Sequence, residues 1–282
     1  MPVPSHPAVK TEGADSDSQL SYWRWLVMLV VFAMLFVSMM AATAQSAAEG
    51  SLYKVLTSEK SGDVTSAAVD RVLKSSDNYT ATILLVASTA ALHEKRLEDA
   101  GFLFHIAGFR MMFDKVLFPP KETVGNDQMR AVAALRNKIG WQLNPALMAE
   151  PKVYAQVVAR LKSWKPNASP QYEPGWEYSH RDDEKETSKA MAAVQKQMVE
   201  HMSVESTLMC DPKYFAAFKI VQGYHHNADT TNKPSTKAYD DALQTMEQME
   251  KANGIRGMAY VTKQVDELKK ASQNNRDASG KK

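Results

Sequence analysis

Histidines with acidic neighbours are the first residues whose types suggest metal or acid–base chemistry. His93-Glu94 begins like the H-E-x-x-H pattern, in which two histidines one helical turn apart bind zinc, but Leu97 occupies the position of the second histidine. The adjacent pair His225-His226 would point about 100° apart on a helix. His105 lies in an apolar segment and is interpreted as a core histidine with its hydrogen bonds satisfied. We therefore predict no metal site.

Nucleophilic residues also lack the partners that catalysis requires. Ser51-Leu52-Tyr53-Lys54 matches S-x-x-K, in which a lysine one turn away takes the proton of the serine, but the companion S-D-N and K-T-G elements are missing. The sequence contains no nucleophile elbow, Walker loop or dinucleotide-binding glycine pattern. Cys210 is the only cysteine, which excludes an internal disulfide and a cysteine zinc cluster. We predict no catalytic residue and no cofactor.

The composition excludes several other classes of protein. The 34 basic and 32 acidic residues give a net charge of +2, and no basic cluster indicates a nucleic-acid partner. Hydrophobic residues make up 44% of the chain, enough for a buried core. Methionine is unusually frequent, with 16 residues, and Met191, Met198, Met202 and Met209 form a helical stripe. We interpret that stripe first as a core face and second as an adaptable binding groove.

The N-terminal region predicts a membrane anchor. Residues 1–21 are polar and read as a disordered cytoplasmic tail. The anchor is assigned to 22–45, with Trp23–Ala44 contacting the membrane, because the 19 residues of 26–44 are uncharged and would form a helix about 28 Å long. The alternative is a signal peptide cleaved after Ala44. Either would carry the rest of the chain out of the cytoplasm.

In the remaining sequence, each segment with a helical period of apolar residues is predicted to form a helix. The predicted fold is therefore all-α, arranged as a helical-hairpin bundle or an irregular solenoid. Residues 80–93 are apolar on nearly every side, and 98–113 carry two apolar stripes, which indicates a buried pair of helices. A further helix is expected from Asn126 to about Ile139, with Gly140 as its terminator. Pro151 and the Asp211-Pro212 pair predict two more helix starts.

These elements predict two helical subdomains, at 46–164 and 181–272, followed by a disordered tail at 273–282. The segment 165–180 between them is rich in proline and lacks periodicity, and loops of that length are often functional. It carries Tyr172, Trp176 and Tyr178, which we predict as partner-binding residues because aromatic side chains are common interface anchors. The alternative is that Trp176 folds back on the bundle as a lid.

One helix pair resembles a known repeat. Residues 97–107, with Ala100, Phe104 and Ala107 at their spacing, resemble the second helix of a tetratricopeptide or Sel1-like repeat, in which small residues allow two helices to approach closely. The resemblance covers about 80–113 and, less completely, 239–250. It departs from the family at Ser88, where the repeat prefers glycine. The resemblance implies a protein-binding scaffold; a generic helical hairpin is the alternative.

Together these patterns predict a single-pass, membrane-anchored protein whose helical domain lies outside the cytoplasm and binds a protein partner. A bacterial envelope accessory protein or an immunity-type protein would fit this description by analogy. The alternative is a hydrolase or lyase that acts on the cell envelope with one acidic catalyst on a helical bundle. A deep cleft that contains a buried carboxyl group of raised pKa would favour that alternative.

Overall fold

The computed structural model describes residues 48–58, 62–166, 172–226 and 234–267, and their regular structure is helical. This confirms the all-α prediction. Within these ranges the only β pairing is an isolated antiparallel bridge between Pro120 and Tyr178. Of the helices described, none is long and apolar enough to span a membrane. The predicted anchor at 22–45 and the predicted tails at 1–21 and 273–282 lie outside the described residues.

Ten helices follow one another along the described chain, with a short 3-10 turn at Ser76–Asn78. Their bounds are α1 (48–56), α2 (Asp63–Lys74), α3 (Ala81–His93), α4 (Leu97–Leu117), α5 (Val124–Ala149), α6 (Pro151–Leu161), α7 (Glu184–Cys210), α8 (Pro212–His226), α9 (Thr236–Ala252) and α10 (258–267).

The hairpin of α3 and α4 forms the centre of the larger core, as their apolar periodicity predicts. Thr80 caps α3 by accepting a hydrogen bond from the backbone N–H of Ile83. Ser88 and Ala100 are fully buried, and the Ser88 hydroxyl donates to the Ala100 carbonyl oxygen at 2.7 Å. Small side chains at this point let the two helices approach closely, while the hydroxyl satisfies its own hydrogen-bonding need.

The predicted end of α5 is wrong. The helix continues through Gly140 and Pro145 to Ala149 instead of ending near Ile139. Gly140 serves close packing, because a Cβ atom there would lie 3.2 Å from Cζ of Phe104 on α4. The predicted starts at Pro151 and Asp211 are confirmed, and the Asp211 carboxylate accepts from the backbone N–H of Lys213 at 2.8 Å.

Two buried clusters meet along α7. The larger cluster draws on α1 to α6 and reaches Val199, whereas the second begins at Leu208 and Met209 and continues through α8, α9 and α10. Met148, near the end of α5, packs against both. The division into subdomains at 46–164 and 181–272 stays a prediction, because α7 contributes to both clusters.

The described part of the 165–180 loop is fixed to the segment after α4. The backbone N–H of Lys121 donates to the Glu177 carbonyl, and the N–H of Ser179 donates to the Pro119 carbonyl, each at 2.9 Å. Beneath the loop, Arg110 and Asp114 form a fully buried ion pair one turn apart on α4. These contacts hold residues 172–180 as an ordered cover on the bundle.

Candidate functional site

A cleft of about 780 Å³ opens between the two core clusters and is lined by residues of α4 to α10. Its walls are mostly apolar, and Met148 lies where the clusters meet. Ligand sites of this kind are concave, apolar and a few hundred cubic ångströms in volume, with a small number of polar groups that orient the ligand. The cleft is therefore the candidate functional site.

Methionine supplies much of the apolar wall. Five of the 16 methionines of the chain line the cleft: Met148, Met198, Met202, Met246 and Met258. The unbranched thioether side chain is flexible and polarisable, and it adapts to apolar partners of different shapes. The predicted Met191–Met209 stripe therefore divides between two roles. Met209 is fully buried in the core, whereas Met198 and Met202 face the cleft.

Arg136 places a positive charge in this apolar surface. It is half-buried on α5, and its guanidinium carbon lies 4.7 Å from the centre of the Phe104 ring. Its Nε atom is buried without a hydrogen-bond partner, and no carboxylate of the described residues pairs with it. Burial lowers its pKa. Gly108 makes room for the guanidinium, since a Cβ atom there would lie 3.0 Å from Nε.

His105 lies between Arg136 and Tyr154 on the wall of the cleft. Its ring centre lies 5.4 Å from that of Phe104 and 6.4 Å from that of Tyr154. Burial, and then the charge of Arg136, lower its pKa to about 4, so that the ring is neutral at neutral pH. Its Nε2 atom is buried without a partner among the described residues. His105 is therefore buried, as expected of a core histidine, but it borders the cleft and the expected hydrogen bond of this nitrogen is missing from the described part of the chain.

Glu205 and Tyr154 form the third polar group. The Tyr154 hydroxyl donates to Oε2 of Glu205 at 3.0 Å. Burial raises the pKa of Glu205, which the hydrogen bond from Tyr154 and the charge of His201 partly offset. Burial also raises the pKa of Tyr154, with Glu205 adding to the effect. A carboxyl group held in this state can donate a proton or a hydrogen bond to a ligand.

The three predicted partner-binding residues lie elsewhere, and none of them lines the cleft. Tyr172 is buried, and its hydroxyl accepts from Nε of Arg110 at 2.8 Å and donates to Asp114 at 2.5 Å. Trp176 is also buried and donates from Nε1 to a backbone carbonyl of the preceding segment. Tyr178 is half-buried. Partner binding by these residues stays a prediction, with Tyr178 the most accessible of the three.

Trp141 is the aromatic residue that the sequence argument missed. It borders the cleft and is 79% exposed, the most exposed of the large hydrophobic side chains described. Two sequence signals could have indicated the cleft. Arg136 falls on the stripe that Val132 and Ile139 mark on α5, and Glu205 interrupts the methionine stripe of α7. A charged residue on an otherwise apolar helix face is costly unless the fold uses it.

The arrangement brings together a cation, a neutral imidazole and a hydrogen-bonded carboxyl group on an apolar surface. Among the residues that the structure describes, no three histidine, cysteine, aspartate or glutamate side chains converge as a metal site would need. Binding is the chemistry that these groups suit best, and Glu205, whose pKa burial raises, is the one carboxyl group among them. No family model, curated protein or solved structure matches this chain.

Proposed function

We propose that this protein acts by binding a protein partner, which places the apolar face of an amphipathic helix in the methionine-lined cleft. The observation that carries the proposal is Trp141, which stands 79% exposed at the edge of an apolar cleft. A small ligand enclosed by the cleft would leave that tryptophan in water. A partner that extends over the edge would cover it, and tryptophan is among the commonest residues that dominate interface energies.

The shape and composition of the cleft support the same proposal. Helix-in-groove recognition uses a hydrophobic groove whose side chains adapt to the anchors of the incoming helix. Met198 is 39% exposed and Met202 lies one turn further along α7, so both can repack around such anchors. The resemblance of 80–113 to protein-binding helical repeats is in keeping with this function.

The predicted anchor gives the proposal its cellular setting. If 22–45 spans the membrane, the cleft faces the space outside the cytoplasm, and the partner is a protein of that compartment. An accessory or immunity-type role in a bacterial envelope then follows by analogy. The support for this setting is the uncharged run and its flanking tryptophans in the sequence.

Site-specific photo-crosslinking tests the proposed binding site. A photoreactive phenylalanine analogue replaces Trp141 in the full chain, and a matched control places it at Val64, which is 72% exposed but lies outside the cleft. In cells we expect an adduct of defined mass from position 141 alone. The adduct should disappear when M198E and M202E are added. Equal adducts at both positions, or an adduct unaffected by these substitutions, would contradict the proposal.

A second candidate function is acid catalysis, and Glu205 is the specific observation in its favour. Its raised pKa and its hydrogen bond to Tyr154 suit a general acid in a cleft. A hydrolase or lyase of the cell envelope would use it to protonate a leaving group. Incubation of the full chain with purified cell-wall sacculi tests this function. An acid catalyst would release soluble fragments and E205Q would not; no release by the wild type excludes this activity.

A further inference from the structure

Arg136 has no acidic partner among the residues that the structure describes, and it lies in a surface built largely of apolar side chains. Its Nε atom is shielded from solvent and makes no hydrogen bond to any described residue, and the contact described for its guanidinium is the face of Phe104. A buried hydrogen-bond donor left unsatisfied costs free energy, and the cost is larger when the group carries charge. The Nε–H donor of Arg136 would therefore be stabilised by a hydrogen-bond acceptor at this point of the cleft.

The position of Arg136 is set by the packing of two helices. It lies on the buried stripe of α5, four residues before Gly140, which packs against Phe104. On α4, Gly108 leaves the space that the guanidinium fills, since any larger residue there would meet Nε at 3.0 Å. An arginine whose side chain extended into solvent would need no such space. The guanidinium is thus packed between the backbone at Gly108 and the ring of Phe104.

A second unsatisfied atom faces the same region. Nε2 of His105 is buried without a partner in the described ranges, and His105 lies close enough to Arg136 for that charge to lower its pKa. When the neutral ring carries its proton on Nε2, this atom becomes a donor beside the guanidinium. A carboxylate has two oxygens and can accept from both groups. An amide or hydroxyl would satisfy them less completely, and an ammonium would be repelled by Arg136.

We propose that the bound helix carries an aspartate or glutamate on its apolar face, and that this carboxylate pairs with Arg136 and accepts a second hydrogen bond from His105. The inference rests on the proposed function, because it assumes that a partner helix occupies the cleft. It assigns the charge of that partner, and it makes Arg136 the specificity-determining residue of the site.

The cleft also contains a carboxyl group of its own, Glu205. Burial raises its pKa, and the Tyr154 hydroxyl donates to one of its oxygens. Burial lowers the pKa of Arg136. The cleft therefore offers a ligand one cation, Arg136, and one hydrogen-bonded carboxyl group, Glu205.

Three designed peptides test the charge of the occupant. Each is an amphipathic helix of identical leucine face with one central residue on that face, which is Glu, Gln or Lys. Their affinities for the full chain are measured by fluorescence anisotropy. For a charge-assisted hydrogen bond we expect the Glu peptide to bind about tenfold more tightly than the Gln peptide and the Lys peptide to bind most weakly. R136E should reverse the order of the Glu and Lys peptides.

The controls separate a specific ion pair from a general charge effect. K138Q removes an exposed lysine two residues away on the same helix and should leave the three affinities unchanged. R136Q should abolish the preference for the Glu peptide while retaining the melting temperature, because it removes a cation that lacks a carboxylate partner in the described chain. The ratio of two affinities within one variant does not depend on how much of the sample is folded.

The outcomes distinguish the inferred acidic residue of the partner from the proposed function itself. Equal affinity for the three peptides, or an unchanged preference in R136E, overturns the inference and leaves the proposed function standing. Failure of all three peptides to bind at millimolar concentration argues against an amphipathic helix and hence against the proposed function. Binding of dodecanoate that depends on Arg136, without peptide binding, would identify a free carboxylate amphiphile as the occupant and overturn the partner helix.

Discussion

Replacing Tyr172 with phenylalanine removes one oxygen atom from the buried network under the 172–180 segment. That oxygen accepts from Arg110 Nε at 2.8 Å and donates to Asp114 at 2.5 Å. Hydrogen bonds to charged groups contribute about 1.5–3 kcal/mol each. The ion pair between Arg110 and Asp114 remains and takes up part of the loss, and the ring keeps its contact with the guanidinium. We expect Y172F to lower the free energy of unfolding by about 2–3 kcal/mol.

Thermal unfolding of the full chain followed by circular dichroism measures this loss. At about 2–4 °C per kcal/mol for a chain of this size, Y172F should unfold roughly 5–10 °C below the wild type. Y178F is the matched control in the same loop, because its hydroxyl makes only an exposed 3.3 Å bond to Glu173, and it should lie within about 0.5 kcal/mol of the wild type. If Y172F and Y178F unfold at the same temperature, the buried network around Tyr172 does not stabilise the loop.

Three further predictions concern the second core cluster and the cleft. E250Q should lower the free energy of unfolding, measured by chemical denaturation, by about 2 kcal/mol. The Glu250 carboxylate accepts hydrogen bonds from the Tyr214 hydroxyl and from two backbone N–H groups of the following turn, and an amide cannot accept all three. M209A should lower the free energy of unfolding by about 2–4 kcal/mol because Met209 is fully buried. M198A should lower it by under about 1 kcal/mol and should instead reduce crosslinking to the proposed partner. The pKa of His105 is lowered to about 4, so the unfolded state binds the extra proton first as the pH falls below about 6.5. The wild type should then lose up to roughly 3 kcal/mol relative to H105Q between pH 7 and pH 4, and equal pH profiles in denaturant titrations would refute this.

Local patterns predicted the helices well. The stripes of α4, the cap at Asp211 and the proline at the start of α6 depend on residues a few positions apart, and the structure has each of them. The end of α5 could not be predicted in the same way. Gly140 suits a helix terminator locally, but the ring of Phe104, 36 positions earlier, determines that it is a packing contact.

The candidate site depends on contacts that are still more distant in sequence. The cleft draws on seven helices, so no single window contains its outline. The aromatic residues of the 165–180 loop suit an interface by their type, yet Tyr172 and Trp176 form hydrogen bonds with residues on α4 and just after it. The interruption of an apolar stripe by Arg136 or Glu205 is a local signal, but its meaning becomes visible only when the helices are assembled.

The methionine wall also makes the cleft sensitive to oxidants. Oxidation of a methionine adds a polar oxygen to sulfur, and dedicated reductases can reverse the reaction. Met198 is partly exposed and would react early, whereas Met246 and Met209 are fully buried and would be protected. One or two sulfoxides would turn an apolar wall into a hydrogen-bonding one without disturbing the core beneath. Under the proposed function, the affinity for a partner would then fall as the methionines of the cleft are oxidised.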